Sequence, residues 1–228
     1  MNIFRNRLTL LLACLLAASC GVNKSIVIAD GETADGGSTV NGSVRIGSGC
    51  KVTGNCRTVN GRVTVGRDSS VGGLATVNGS ISIADGVAAA GDVRTVNGSL
   101  VVGAGISVEG SLETVNGSVE CGPGTVAEGI STVNGGISIE GTRVDGDLTT
   151  TNGSVTLTGG ARVSGDVIIK GKDRPGARKK TVEITIADGS IVEGNIVVRD
   201  AGRLVKVILT GGGAVQGEIE NAEVVENF

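Results

Sequence analysis

Apolar and polar residues alternate over short stretches of this chain and then meet glycine, again and again from Ser25 onward. Val40, Ile46 and Val52 stand six apart, with second apolar positions four residues on from each start at Val44, Cys50 and Cys56. Val59, Val65, Val71 and Val77 repeat the six-residue step. Alternation over a few residues predicts a short strand, and glycine predicts a bend. Three strands and three bends make one triangular coil. The fold class expected is therefore all-β: a single-stranded parallel β-helix, or β-solenoid, of 18–19 residues per coil. Valine and isoleucine suit the half-buried pleat of such a wall. Glycine serves bends whose φ values other residues resist. In this register Val40 points inward, and Thr39 and Asn41 point outward.

A longer period lies over the hexads. TVNG begins at Thr39, Thr58, Thr76, Thr95, Thr114 and Thr132, and TTNG follows at Thr150. The asparagines are Asn41, Asn60, Asn78, Asn97, Asn116, Asn134 and Asn152, with gaps of 18 or 19. A short fixed period is the signature of stacked repeats. After residue 157 the tetrad is gone, but VSGDV at Val163, VEGNI at Val192 and VQGEI at Val215 echo VDGDL at Val144. One continuous helix over 25–228 is expected, with TVNG repeats over 25–157 and divergent coils over 158–228. About ten coils at ~4.8 Å give a rod of roughly 45–50 Å.

Composition sharpens the picture. Glycine accounts for 40 of 228 residues, histidine, tryptophan and tyrosine are absent, and Phe4 and Phe228 are the only aromatics. Without histidine there is no general base for a hexad-repeat acyltransferase, no Ser-His-Asp or Cys-His mechanism, and few routes to a transition-metal site. No aromatic platform offers sugar stacking. The RTX calcium nonapeptide and the EF-hand loop are also missing. Asp145 and Asp147 form a close acidic pair but sit on a repeating bend motif, where they read as solvated turn residues. No enzyme activity, cofactor or metal is expected.

The first residues read as a leader. Arg5 and Arg7 precede the apolar run Leu8–Ala18, which is too short to span a bilayer. LAAS then leads to Cys20, in the manner of a bacterial lipobox whose cysteine is lipidated. The organisation expected is a lipoprotein signal peptide over 1–19, an anchor and linker over 20–24, and the helix beyond. Gly21 carries no inner-membrane retention signal, which favours the outer membrane; several acyl chains make a stable anchor. Loss of residues 1–19 leaves 18 basic and 23 acidic residues, a net charge of −5, and nothing suggests nucleic acid.

Three further features invite a role. Cys50 and Cys56 are near enough in sequence for a disulfide in an exported protein, or else they are small buried hydrophobes like Cys121. Lys170, Lys172, Arg174, Arg178, Lys179 and Lys180 form a basic loop, suited to lipid or polymer phosphates or simply solvated. Phe228 either plugs the last coil or packs against a neighbour.

The V-x-G-[DNSE]-[ILV] steps quoted above, with VEGSL at Val108, resemble the bactofilins. The TVNGSV and TVNGSI steps are similar to secreted, adhesin-like β-strand-repeat proteins. The bactofilin resemblance implies a right-handed helix and a polymer-forming role, and the lipobox moves that role from the cytoplasm to the envelope. The expectation is a structural or scaffolding lipoprotein that self-associates end to end. The alternative is a surface adhesin that binds a polymer along stacked Thr and Asn.

Overall fold

A computed structural model describes residues 22–171, 181–200 and 202–227. The leader, Cys20, Lys172, Arg174, Arg178, Lys179, Lys180 and Phe228 lie outside the described residues. Within them the chain is all-β, with no helix. Every strand pairing is parallel, as coil stacking requires. The result is a β-solenoid of about ten coils.

Each coil has three walls. The first is an eleven-stranded sheet running from Ile26–Ile28 through Val44–Ile46 and Val63–Val65 to Glu223–Asn227. The second and third form one eighteen-stranded sheet, because Ser107–Glu113 and Val126–Ser131 each continue round the corner between them. The first wall keeps strict register: Ile26, Val44, Val63, Ile81, Leu100, Val119, Ile137 and Val155 lie one above another.

The inward residues come in pairs, two apart, one pair per wall. In one coil they are Val44/Ile46, Cys50/Val52 and Cys56/Thr58, all buried. This corrects the expected register. The apolar six-residue step is real along Ile46 and Val52, but its third member is Thr58, and Val40 and Val59 are only half-buried at the corner. The step from Thr to the next inward partner, as from Thr39 to Ile46, is seven residues. That corner holds the extra residue, and gaps of 18 arise by shortening another side.

Some inward positions carry hydroxyls or a thiol, and each is satisfied. In the second wall Ser69 Oγ donates to the Gly47 carbonyl at 2.9 Å, and Thr125 Oγ1 to the Gly103 carbonyl at 2.9 Å. Cys50 occupies the same column, and its Sγ donates to the Ala29 carbonyl at 3.0 Å. Cys56 sits instead in an apolar column between Gly37 and Leu74. Cys50 and Cys56 are free, so the candidate disulfide is not formed; the two serve different walls and fill different needs.

The period changes after the last TTNG. Val155 pairs with Ile184, 29 residues on, and Ile184 with Val207, 23 residues on. Both longer coils grow at the same corner, after the third wall. The first includes Lys170 and Gly171, the second Arg199, Asp200 and residues 202–204. The surrounding core continues without a break through Ile169, Ile184, Val198 and Val207.

Burial holds the Cys56 thiol above its ordinary range and pushes Cys121 up to about 12. Near pH 8 an unfolded thiol is partly ionised and these two are not. A chain beginning at Val22 should therefore leave Cys56 and Cys121 unmodified by an alkylating reagent in native buffer. Both should react promptly in denaturant, as intact-mass measurement would show. Native labelling at the denatured rate would contradict the packing.

Candidate functional site: the threonine–asparagine corner

The repeated tetrad builds the corner between the third and first walls. Its threonine lies inside, not outside: Thr39, Thr58, Thr76, Thr95, Thr114 and Thr132 are between 0% and 3% exposed. Each hydroxyl donates to a carbonyl of the coil before. Thr58 reaches Gly42 at 2.6 Å, Thr76 Gly61 at 2.9 Å, Thr95 Gly79 at 2.7 Å, and Thr114 Gly98 at 2.9 Å. Thr132 bonds Gly117 in the same way, and Thr39 bonds Lys24. The carbonyl at a bend turns away from the wall ladders, and a buried carbonyl without a donor costs about 1–3 kcal/mol. Valine fits the pocket but has no donor. Strand register shows the column for what it is: Thr150 is paired with Ile169, and Ile169 with Val198, so the column is a core column.

The glycine of the tetrad serves close approach. None of Gly42, Gly61, Gly79, Gly98, Gly117, Gly135 or Gly153 has a positive φ. A Cβ on Gly98 would overlap the carbonyl oxygen of Gly79, and the same holds for each glycine and its predecessor in the column. Left-handed glycines occur at other bends, such as Gly105 with φ +64°, where a Cβ would meet nothing. The expected φ requirement is thus right for glycines at other bends and wrong for the TVNG corner.

The asparagines are exposed, as expected, and they form one ladder. Asn60 Nδ2 donates to Asn41 Oδ1 at 2.8 Å, Asn78 to Asn60 at 2.8 Å, and Asn97 to Asn78 at 2.8 Å. The chain continues through Asn116, Asn134 and Asn152. All the bonds run the same way, so the amide dipoles add and each bond polarises the next.

Both ends of the ladder are closed by residues outside the tetrads. At the lower end Asn41 donates to Asn23 Oδ1 at 2.9 Å. At the upper end the Arg203 guanidinium donates twice, Nη1 and Nη2 each 3.2 Å from Asn152 Oδ1. Arg203 comes from the second enlarged corner, 51 residues away in sequence, and is 6% exposed. A Cβ on Gly171 would overlap this guanidinium, so Gly171 leaves the passage open. A cation thus meets the last acceptor of an aligned amide chain, a charge-assisted contact. No repeat pattern pointed to Arg203.

The remaining candidates are distributed elsewhere. Asp145 pairs with Arg143, and Asp147 accepts the Asp166 N–H at 2.9 Å, so both serve bends. Lys170 keeps its strand contact through its N–H to the Thr150 carbonyl at 2.8 Å. Its ammonium pKa is lowered by partial burial and by Arg199, against an opposing pull from Asp147. An open groove of about 270 Å³ lies where Gly129 and Gly146 leave the second corner bare, beside Glu113, Glu128 and Asp147. Among the described residues no cluster of three potential metal ligands occurs, and no helix is long and apolar enough to cross a membrane.

No protein-family model, curated protein or solved structure matches this chain. The likeness to bactofilins and to adhesin-like repeat proteins therefore rests on the short steps quoted above.

Two substitutions separate the roles within the corner. Gly98→Ala should cost about 3 kcal/mol or more, because backbone faces backbone and nothing can yield. Asn97→Ala removes two exposed hydrogen bonds and should cost only about 1–2 kcal/mol. Urea midpoints of the two variants would check the order; a milder Gly98→Ala would refute close approach as the reason for glycine.

Proposed function

We propose that the protein is a non-enzymatic structural lipoprotein of the bacterial cell envelope. It would be a rigid rod tethered through lipidated Cys20, at the outer membrane, and able to associate end to end. The observation that carries this reading is the unbroken stack itself. Its walls and corners are absorbed by coil-to-coil bonding, whereas among the described residues the strand Glu223–Asn227 is paired on one side only. There the strand Glu223–Asn227 presents an open edge, and Leu209, Val215, Ile219 and Ala222 are only partly covered. Open edges and uncovered apolar ends favour a partner of like geometry.

Charge tunes that association. The last coil exposes Glu218, Glu220, Glu223 and Glu226, and residues 211–227 contain no base. The first exposes Asp30, Glu32 and Asp35 against Lys24. Ends of like sign repel at low salt, and the Debye length falls from about 30 Å at 0.01 M to about 3 Å at 1 M. Sedimentation of a chain beginning at Val22 should show oligomers that grow with salt. A strict monomer at high concentration and every ionic strength would refute self-association.

The second reading is a polymer-binding module. Its support is the exposed Asn column beside the part-buried serines Ser80, Ser99 and Ser118, which lead from the corner into the first wall. The tetrad threonines are buried and have no place in that face, so the surface proposed is asparagine and serine. Binding would be shared over rungs: Asn60→Ala should weaken retention on isolated envelope glycan only slightly, and complete loss in a folded variant would contradict a stacked site.

A further inference from the structure

Seven of the ladder asparagines are followed directly by glycine, from Asn41-Gly42 to Asn152-Gly153. Asn-Gly is chemically the most fragile of asparagine sequences. With no Cβ in the way, the glycine backbone nitrogen loses its proton and attacks the asparagine Cγ. The new N–Cγ bond forms, the Cγ–Nδ2 bond breaks, and Nδ2 leaves as ammonia. Water then opens the resulting succinimide to aspartate or isoaspartate. A chain that repeats this dipeptide seven times has seven sites of spontaneous damage, and asparagine is among the thermolabile residues.

We propose that the amide ladder shields these seven sites from deamidation, and that Asn23 and Arg203 are the guards of its two ends. Attack requires the side chain to swing out of the ladder while the glycine nitrogen turns toward Cγ. Swinging breaks a bond at Nδ2 and another at Oδ1, as for Asn97 between Asn78 and Asn116. Turning is opposed by the glycine's contact with the carbonyl of the coil before. An end rung would be held on one side only. Yet no Asn-Gly occupies an end: the bottom rung is Asn23, followed by Lys24, and the top is Arg203. Every fragile sequence is therefore held from both sides. Damage at one rung would spread. A carboxylate at position 78 has no proton to donate to Asn60 Oδ1, and two acceptors would face each other.

The test compares deamidation site by site, using a chain beginning at Val22 in mildly alkaline buffer. Peptide mapping follows the unit mass gain and isoaspartate content at each Asn-Gly. In the native protein all seven should react at least about tenfold more slowly than in denaturant. Arg203→Ala should accelerate Asn152 roughly tenfold, the worth of one charge-assisted bond, and leave Asn97 unchanged. Asn23→Ala should raise Asn41 by a smaller factor and leave Asn97 unchanged. Equal native and denatured rates at Asn97 would overturn the shield. An unchanged Asn152 in a folded Arg203→Ala variant would overturn the guard. Should that variant loosen its upper coils, Asn134 and Asn152 would accelerate together, and Asn23→Ala at the far end decides.

Discussion

Coil must lie on coil at one strand spacing, about 4.8 Å, at the corners as well as along the walls. Along the walls this is easy, because extended strands pair naturally at that distance. At the corner the backbone turns, its carbonyl leaves the ladder, and the next coil must pass directly over it. The repeated glycine answers the steric half of that problem, since any side chain would collide with the carbonyl of the coil before. The buried threonine answers the polar half by donating to that carbonyl. The tetrad is thus a joint, copied because the same joint recurs once per coil.

The same principle orders the rest of the interior. In the second wall four inward side chains, the Cys50 thiol and the hydroxyls of Ser69, Thr125 and Thr142, likewise donate to a carbonyl of an earlier coil, while Val87, Ile106 and Ala161 fill the same column without a donor. Elsewhere the core is mainly valine, isoleucine and leucine, with Cys56, Cys121 and a few alanines, buried almost completely. A narrow triangular lumen of this kind leaves no room for large aromatics. It also gives the molecule its functional character: the buried polar groups are committed to stacking, and what is exposed repeats along the rod. Any recognition or association proposed for it would therefore belong to columns and ends and not to a single residue.

Much of this was legible in the residues. The 18–19 residue period, the short alternating stretches and the glycine bends predicted a parallel solenoid of about ten coils, which the strand order shows. The exposed asparagines and the enlarged coil at Lys170 were also foreseen. The direction of the threonine was not. Thr39 and Val40 are adjacent, β-branched and nearly the same shape, so alternation alone allows either to face in. Hydropathy then favours valine. Only the register with Ile169 and Val198, several coils later, reverses the choice.

The sequence by itself determined the architecture, because periodicity is a one-dimensional property and a solenoid is nearly one-dimensional. The tertiary structure alone decided how the corners are satisfied and where the ladder ends. A threonine prefers the interior only when a carbonyl waits there, and that carbonyl belongs to a residue 15 or 16 positions away. Arg203 finds Asn152 across 51 positions, past a glycine that makes way for it. Such partners meet because coils of unequal length bring them to the same corner, and no local pattern records that meeting.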